Sequence, residues 1–350
     1  MPPPPTDPLL TVDALHVSIG TTDAVRGIGF EVYPGEVFAL VGESGAGKSL
    51  TARALLGMAP RTATVSGRVL LHGAPVTPAD LGRRLARIPQ DALSALSPVH
   101  RVEEQLALAV RSVQGLGRRE ARAVARRALA ATGLAPEAAA VYPHALSGGM
   151  RQRAVIAMAL VNEPDLVVAD EPTTALDPER QERVLTLLRE RCAAAGAALL
   201  LVSHDLEAVR RHADRVAVLY AGRIVELGPV ERVLEHPAAP YTHALLASLP
   251  TPGLAHRSRL PVLTGAPLLP GATDEGVTSV GPTGKAATGG SATGEGPTGK
   301  AATGDGAPDE GCAFTPRCPA ATALCRREDP APKTTNGRRV ACHHPLGETA

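Results

Sequence analysis

The chain has 350 residues, 44% of them hydrophobic, and a formal net charge of +1. That length holds one large domain with an appendix, and the hydrophobic content suffices for a core. The balanced charge argues against electrostatic binding of nucleic acid.

Met1-Pro2-Pro3-Pro4-Pro5 has neither a charged n-region nor an apolar h-region, so no signal peptide is expected and residues 1–8 read as a disordered N-terminus. No stretch is apolar for long enough to cross a bilayer. Residues 9–41 read as short strands. The last of them, Val37-Phe38-Ala39-Leu40-Val41, runs into Gly42-Glu43-Ser44-Gly45-Ala46-Gly47-Lys48-Ser49, and a helix is expected over Leu50 to Gly57. This is a complete G-x-x-x-x-G-K-[ST] phosphate loop in its strand–helix context. The glycines let backbone wrap closely around phosphate oxygens, and the helix N-terminus adds positive potential. Lys48 is expected on the β- and γ-phosphates of a nucleotide, and the Ser49 hydroxyl on Mg²⁺.

Gln90 follows Leu85-Ala86-Arg87-Ile88-Pro89, and about 91–160 is rich in helix formers, with Gly133 ending one helix. Arg118, Arg119, Arg122, Arg126 and Arg127 read as a solvated helix face rather than a binding patch, because Ala121, Val124, Ala125, Ala128 and Leu129 fall on the other side. Leu146-Ser147-Gly148-Gly149-Met150 then opens a helix running to Leu160. A serine and two glycines at a helix start offer a hydroxyl and free N–H groups to an anion.

Leu166–Ala169 is a second buried strand, and it ends in Asp170 and Glu171. An acid at a strand end beside a phosphate loop suits the Mg²⁺ shell, which assigns Asp170. Glu171 is placed to act as general base on water. Pro172-Thr173-Thr174-Ala175-Leu176-Asp177 follows, and Asp177 before Pro178 is also a good N-cap for the next helix. His204 comes after the apolar run Ala198–Val202. Asp165 to Leu227 alternates strand and helix, as in a parallel sheet.

Pro229 to Pro250 continues as helix and contains Pro240-Tyr241-Thr242-His243-Ala244-Leu245-Leu246. After 251–271 the composition breaks. Gly281–Gly289 recurs unchanged at Gly296–Gly304, and 272–310 reads as low-complexity linker. Cys312, Cys318, Cys325 and Cys342 lie beyond it, with five, six and sixteen residues between them. Cys192 is read as a buried packing residue. A cytosolic setting argues against disulfides, which leaves a metal for the four tail thiols. C-x-x-C pairs, the common zinc pattern, are absent. Cys318-Pro319 echoes ferredoxin loops.

The phosphate loop, the Ser147-Gly148-Gly149 motif, Asp170-Glu171 and His204, in that order, resemble the ABC ATPase superfamily. The Pro240–Leu246 phrase and the run from Cys312 to His343 resemble the ATPase subunits of oligopeptide/dipeptide ABC importers. The resemblance implies an α/β fold: a P-loop ABC ATPase domain over 9–250 with an antiparallel β subdomain and a helical insertion, plus a small cysteine-containing C-terminal domain over 311–350. It implies ATP and Mg²⁺ as ligands. His204 becomes the switch histidine at the γ-phosphate, and Gln90 the glutamine that senses Mg²⁺ and water. Ser147, Gly148 and Gly149 would bind ATP held by a second ATPase subunit, identical or paralogous, with Asp177 on the loop crossing to that subunit. Further implied partners are two membrane permeases and, through them, an extracytoplasmic peptide-binding protein, which places the chain peripherally on the cytoplasmic face of the cell membrane. Some family members hold a [4Fe–4S] cluster in the tail, which implies Cys312, Cys318, Cys325 and Cys342 as ligands. Zinc, with His343 or His344 as substitute ligands, is the alternative. The family's adenine-stacking aromatic is missing, since its place falls at Ile19 or His16. Cargoes other than peptides (nickel, peptide-like compounds) and a soluble, non-transport ABC ATPase are the competing readings; the latter usually carries tandem ATPase halves or a long coiled coil.

Overall fold

A computed structural model describes residues 7–174, 176–249 and 311–347. Residues 1–6, the segment 251–271 and the repeat-bearing 272–310 lie outside the described residues.

Two sheets share one core. The first is antiparallel, in the order β2-β1-β4-β5, from β1 (Leu10–Ile19), β2 (Thr22–Val32), β4 (Ala63–Leu71) and β5 (Ala74–Pro75). Its first two strands are longer than expected, at ten and eleven residues. The second sheet holds β3 (Val37–Gly42), β6 (Leu85–Ile88), β7 (Leu166–Asp170), β8 (Ala198–Val202), β9 (Arg215–Tyr220) and β10 (Arg223–Pro229). It is completed by β11 (Lys333–Thr335) and β12 (Arg338–Val340), in the order β11-β12-β10-β9-β3-β8-β7-β6.

β3, β6, β7, β8 and β9 pair in parallel. Every residue of β3, β7 and β8 is buried, as expected of strands covered on both faces. Helix α1 (Lys48–Leu55) leaves the end of β3 by way of the phosphate loop. The insertion comprises α2 (Ala92–Ala95), α3 (Val102–Gln114), α4 (Arg118–Ala131), α5 (Pro136–Ala139) and α6 (Gly148–Leu160). On α4, Ala121, Ala125 and Leu129 are buried while Arg126 and Arg122 reach Glu103 and Glu104, so the arginines line the outer face. Helices α7 (Pro178–Ala195), α8 (Leu206–His212), α9 (Val230–Glu235) and α10 (Pro240–Ala247) complete the α/β part. Cys192, on α7, is 2% exposed, and burial alone pushes its thiol up to about 12.

The tail, with α11 (Ala323–Arg327), is seated on this core. β12 pairs antiparallel with β10, matching Glu226 to Val340 and Leu227 to Arg339. Asn336 and Gly337, both at positive φ, turn β11 into β12. An Asn-Gly pair is a strong short-range hairpin signal. Here the flanking strands of three residues carry no apolar alternation to support it.

Candidate nucleotide site

The parallel strands deliver the expected groups to one edge of the sheet. β3 ends in the phosphate loop, β7 in Asp170, and Gln90 and His204 follow β6 and β8. Loops beyond the carboxyl ends of parallel strands are where such sheets bind ligands.

The loop needs its glycines at two positions. Gly42 has φ 149, and a Cβ there would lie 2.2 Å from the Leu219 carbonyl oxygen. Gly47, at φ 102, precedes α1, and a Cβ there would lie 2.6 Å from the Ala24 oxygen. Ala46 is buried and anchors the loop, accepting from Gly222 N–H. Lys48 is 5% exposed and donates to the carbonyls of Gly42 (2.8 Å) and Glu43 (3.0 Å). Burial lowers its pKa, while Glu171, Asp170 and Glu43 oppose that shift.

Ser49 Oγ donates to Asp170 Oδ1 at 2.7 Å. Asp170 is 1% exposed, and Arg87 stands 3.7 Å from its other oxygen. A hydroxyl beside a buried carboxylate is a donor set of hard oxygens suited to Mg²⁺. Next to it, Glu171 adopts φ 47, and its N–H bonds to Val202 O across the sheet. A non-glycine residue in the left-handed region is a strained position of the kind that collects at functional sites. Three groups converge on its carboxylate. Gln90 Nε2 donates to Oε2 at 3.3 Å, Thr174 Oγ1 donates to it at 3.1 Å, and His204 Nδ1 lies 3.2 Å away. Glu171, Thr174, Ser203 and His204 line one cleft.

The serine–glycine motif stands differently. Ser147 is the N-cap of α6, and its hydroxyl accepts from Met150 N–H at 3.3 Å. A Cβ built at Gly148 or Gly149 meets nothing within 4 Å. The same helix reaches the nucleotide edge through Gln152, whose amide donates to Pro172 O at 2.8 Å. Asp177 caps α7, accepting from Arg180 N–H at 3.0 Å. At the two positions considered for adenine, Ile19 is exposed at the end of β1, and His16 Nδ1 lies 2.9 Å from Ala14 O.

Cys312, Cys318, Cys325 and Cys342 line one pocket together with Val225, Tyr241 and Phe314. Among the described residues, no three Cys, His, Asp or Glu side chains lie close enough together to hold a metal ion as placed. Burial pushes the Cys312 and Cys318 thiols up and Cys342 to about 11. His344 N–H donates to Cys342 Sγ at 3.3 Å. The two histidine rings have partners already: His343 Nε2 lies 2.8 Å from Glu328 O, and His344 Nε2 lies 2.9 Å from Thr322 Oγ1.

Three groups at the nucleotide edge escaped the sequence reading. Arg317 forms a bidentate ion pair with Glu43, while Tyr241 and Tyr220 pack beside it. Tyr241 belongs to the Pro240–Leu246 phrase, so its segment was visible but its contact was not.

Comparison with known proteins agrees with this architecture. A family model described as "ABC transporter" matches residues 25–174, and one described as "Oligopeptide/dipeptide transporter, C-terminal region" matches 225–277 and 285–325. The "Oligopeptide transport ATP-binding protein OppD" of Mycobacterium tuberculosis is 42% identical over 274 residues, which are 74% of this chain and 45% of that protein. The chain therefore spans less than half the length of that relative. The "Probable D,D-dipeptide transport ATP-binding protein DdpD" of Escherichia coli is 36% identical, with 98% of each chain covered. Among solved structures, cbiO1 of Clostridium perfringens, part of the ABC transporter complex cbiONQ, aligns with TM-score 0.58 and 28% identity, covering 66% of this chain and 92% of that one. The chain belongs to the ABC transporter ATP-binding protein family, in its oligopeptide/dipeptide branch.

Proposed function

We propose that this chain is the ATP-binding and ATP-hydrolysing subunit that energises import of dipeptides or oligopeptides by an ABC transporter. The observation that carries the reading is the gathering of Ser49, Asp170, Glu171, Gln90 and His204 at the carboxyl edge of one parallel sheet, beside the Lys48 loop. Lys48 and the loop N–H groups bind the phosphates, with Glu43, Ser44, Gly45 and Ala46 supplying backbone around them. Ser49, Asp170 and Gln90 would hold Mg²⁺, which neutralises charge on the phosphates. Glu171 takes the proton of the attacking water, and Gln90 and His204 orient its carboxylate. The peptide cargo rests on the printed names of the relatives and on the match over the tail.

The open surroundings of Gly148 and Gly149 favour action on ATP held by a second ATPase subunit, a copy or a paralogue. Asp177 lies on the loop facing that subunit. Two permeases would dock on the helical part (about 91–160) and receive cargo from an extracytoplasmic peptide-binding protein. Among the described residues no helix is long and apolar enough to cross a membrane, in keeping with a peripheral place on its cytoplasmic face. The domain limits follow this division of labour: ATPase 9–250, the start of an extension at 251–271, linker 272–310 and tail 311–350.

For the tail we favour a [4Fe–4S] cluster over zinc. Four thiols line one pocket, both nearby imidazoles are engaged elsewhere, and a backbone N–H already points at one sulfur. A small inward shift of the thiols is required, since they do not converge as placed. Binding metal deprotonates the thiols and so offsets the cost of burying them.

Reconstitution with the permeases and binding protein tests the main reading. ATP turnover should rise with peptide-loaded binding protein, and Ser147→Arg should leave ATP binding by the single chain intact while blocking ATP-driven dimer closure in sedimentation. Turnover indifferent to peptide in the complete assembly refutes the cargo. Loss of monomer affinity with unchanged dimerisation refutes the shared site.

A further inference from the structure

Between Cys312 and Cys318 the chain makes a short turn, Thr315–Arg317, and Arg317 reaches back to the phosphate loop. Its two terminal nitrogens meet the two carboxylate oxygens of Glu43, each at 2.9 Å. The guanidinium side chain is 4% exposed, the carboxylate 20%. Planar, bidentate Arg–carboxylate pairs are the strongest and most directional of side-chain ion pairs. The pair is also walled in. The guanidinium lies 5.8 Å from the Tyr220 ring centroid, and Tyr220, Tyr241 and Phe314 pack on one another at 4.5–5.4 Å. The Glu43 carboxylate raises the guanidinium pKa further, so Arg317 keeps its charge.

Glu43 is held at three points. Its carboxylate is bound by Arg317, its N–H donates to Tyr241 Oη at 3.1 Å, and its carbonyl accepts from Lys48 Nζ at 3.0 Å. Two of these three grips come from outside the loop, one from α10 and one from the cysteine tail. The charge also has a sign problem without Arg317. A bare carboxylate on a phosphate loop adds a negative charge beside a triphosphate, and like charges at such range cost affinity. A guanidinium locked onto it removes that charge and fixes the loop at its second residue.

We propose that Arg317 is a positioning residue for ATP: it neutralises Glu43 and holds the phosphate loop in its nucleotide-receiving shape, so that the cysteine tail is part of the nucleotide site. The proposal rests on the reading of the loop as an ATP site. It touches no phosphate itself and acts through Glu43.

The test is equilibrium binding of a fluorescent ATP analogue to the full chain. Arg317→Ala should weaken binding by about tenfold or more, because it leaves a half-buried carboxylate unpaired. Arg317→Lys should recover part of the loss through its charge, without the fork. The double variant Glu43→Gln with Arg317→Ala should bind more tightly than Arg317→Ala alone, since the unpaired charge is gone. That coupling is the readout a merely structural arginine does not produce. Should Arg317→Ala fail to fold, the lysine variant and the double variant carry the test. Binding by Arg317→Ala within about twofold of the wild type, or a double variant no better than the single, overturns the proposal. Lys48→Ala separates the two levels. Wild-type binding that Lys48→Ala does not weaken defeats the ATP reading and this inference with it. Binding lost in Lys48→Ala but untouched in Arg317→Ala defeats the inference alone.

Discussion

Around the phosphate loop, backbone does the positioning. Gly42 and Gly47 turn where a Cβ would strike carbonyl oxygens, and the reactive side chains follow within a few residues or stand at the ends of neighbouring strands. Around the cysteine pocket, burial does it. Thiols from a turn, a helix and the second residue past β12 line one pocket with Tyr241, Phe314 and Val225. The first arrangement is set by close approach of backbone to backbone. The second holds Cys312, Cys318 and Cys342 with their thiols pushed up by burial. One site is shaped by where a Cβ cannot go, the other by the side chains packed around its thiols.

That contrast can be broken in four places. Lys48→Ala should lower ATP affinity by about a hundredfold, because it removes the cation from the phosphates in a partly desolvated site. The tail should resist protease as before, and a tail that loosens in this variant would erase the distinction between the two regions. Glu171→Gln comes next. Turnover of the assembled complex should drop on the order of a hundredfold while ATP binding persists, trapping the closed dimer. Near-normal hydrolysis would remove Glu171 from the role of base.

Smaller, and read on the tail, is Cys325→Ser. Protein made without oxygen should lose its brown colour, iron and acid-labile sulfide, and the segment 311–347 should be cut sooner by protease. One zinc per wild-type chain would decide for the alternative ligand. The smallest effect concerns Cys192, the packing thiol of α7. Cys192, raised to about 12, is almost wholly protonated at pH 8 and should resist iodoacetamide until the chain unfolds. Mass spectrometry of peptides from alkylated, metal-free protein reads this directly, and early labelling of Cys192 would contradict its burial.

Much of the nucleotide edge was legible because its parts are short, contiguous and flanked by all-apolar strands. Val37–Gly42 and Leu166–Asp170 announce buried parallel strands, so Lys48, Ser49, Asp170 and Glu171 need no knowledge of distant sequence to be placed. Gln90 and His204 were legible by order alone, and both reach Glu171. The Arg317–Glu43 pair was not legible. The partners stand 274 residues apart, and a single arginine in a polar segment has no periodicity to betray it. The hairpin β11–β12 was hidden for another reason. Its strands are too short and too polar to signal burial, and only Asn336-Gly337 marks the turn.

The pairing of β12 with β10 has a consequence for how the molecule is made. Until residues 338–340 have left the ribosome, β10 is a bare edge with unpaired N–H and C=O groups. Glu226, fully buried on β10 and bonded to Ala238 and Ala239, gains Arg338 at 3.5 Å only when that strand arrives. Among the described residues, β12 is the last strand of this sheet to be synthesised. A chain cut short before residue 338 is expected to leave that edge open to strand pairing with other chains, which its aggregation would reveal.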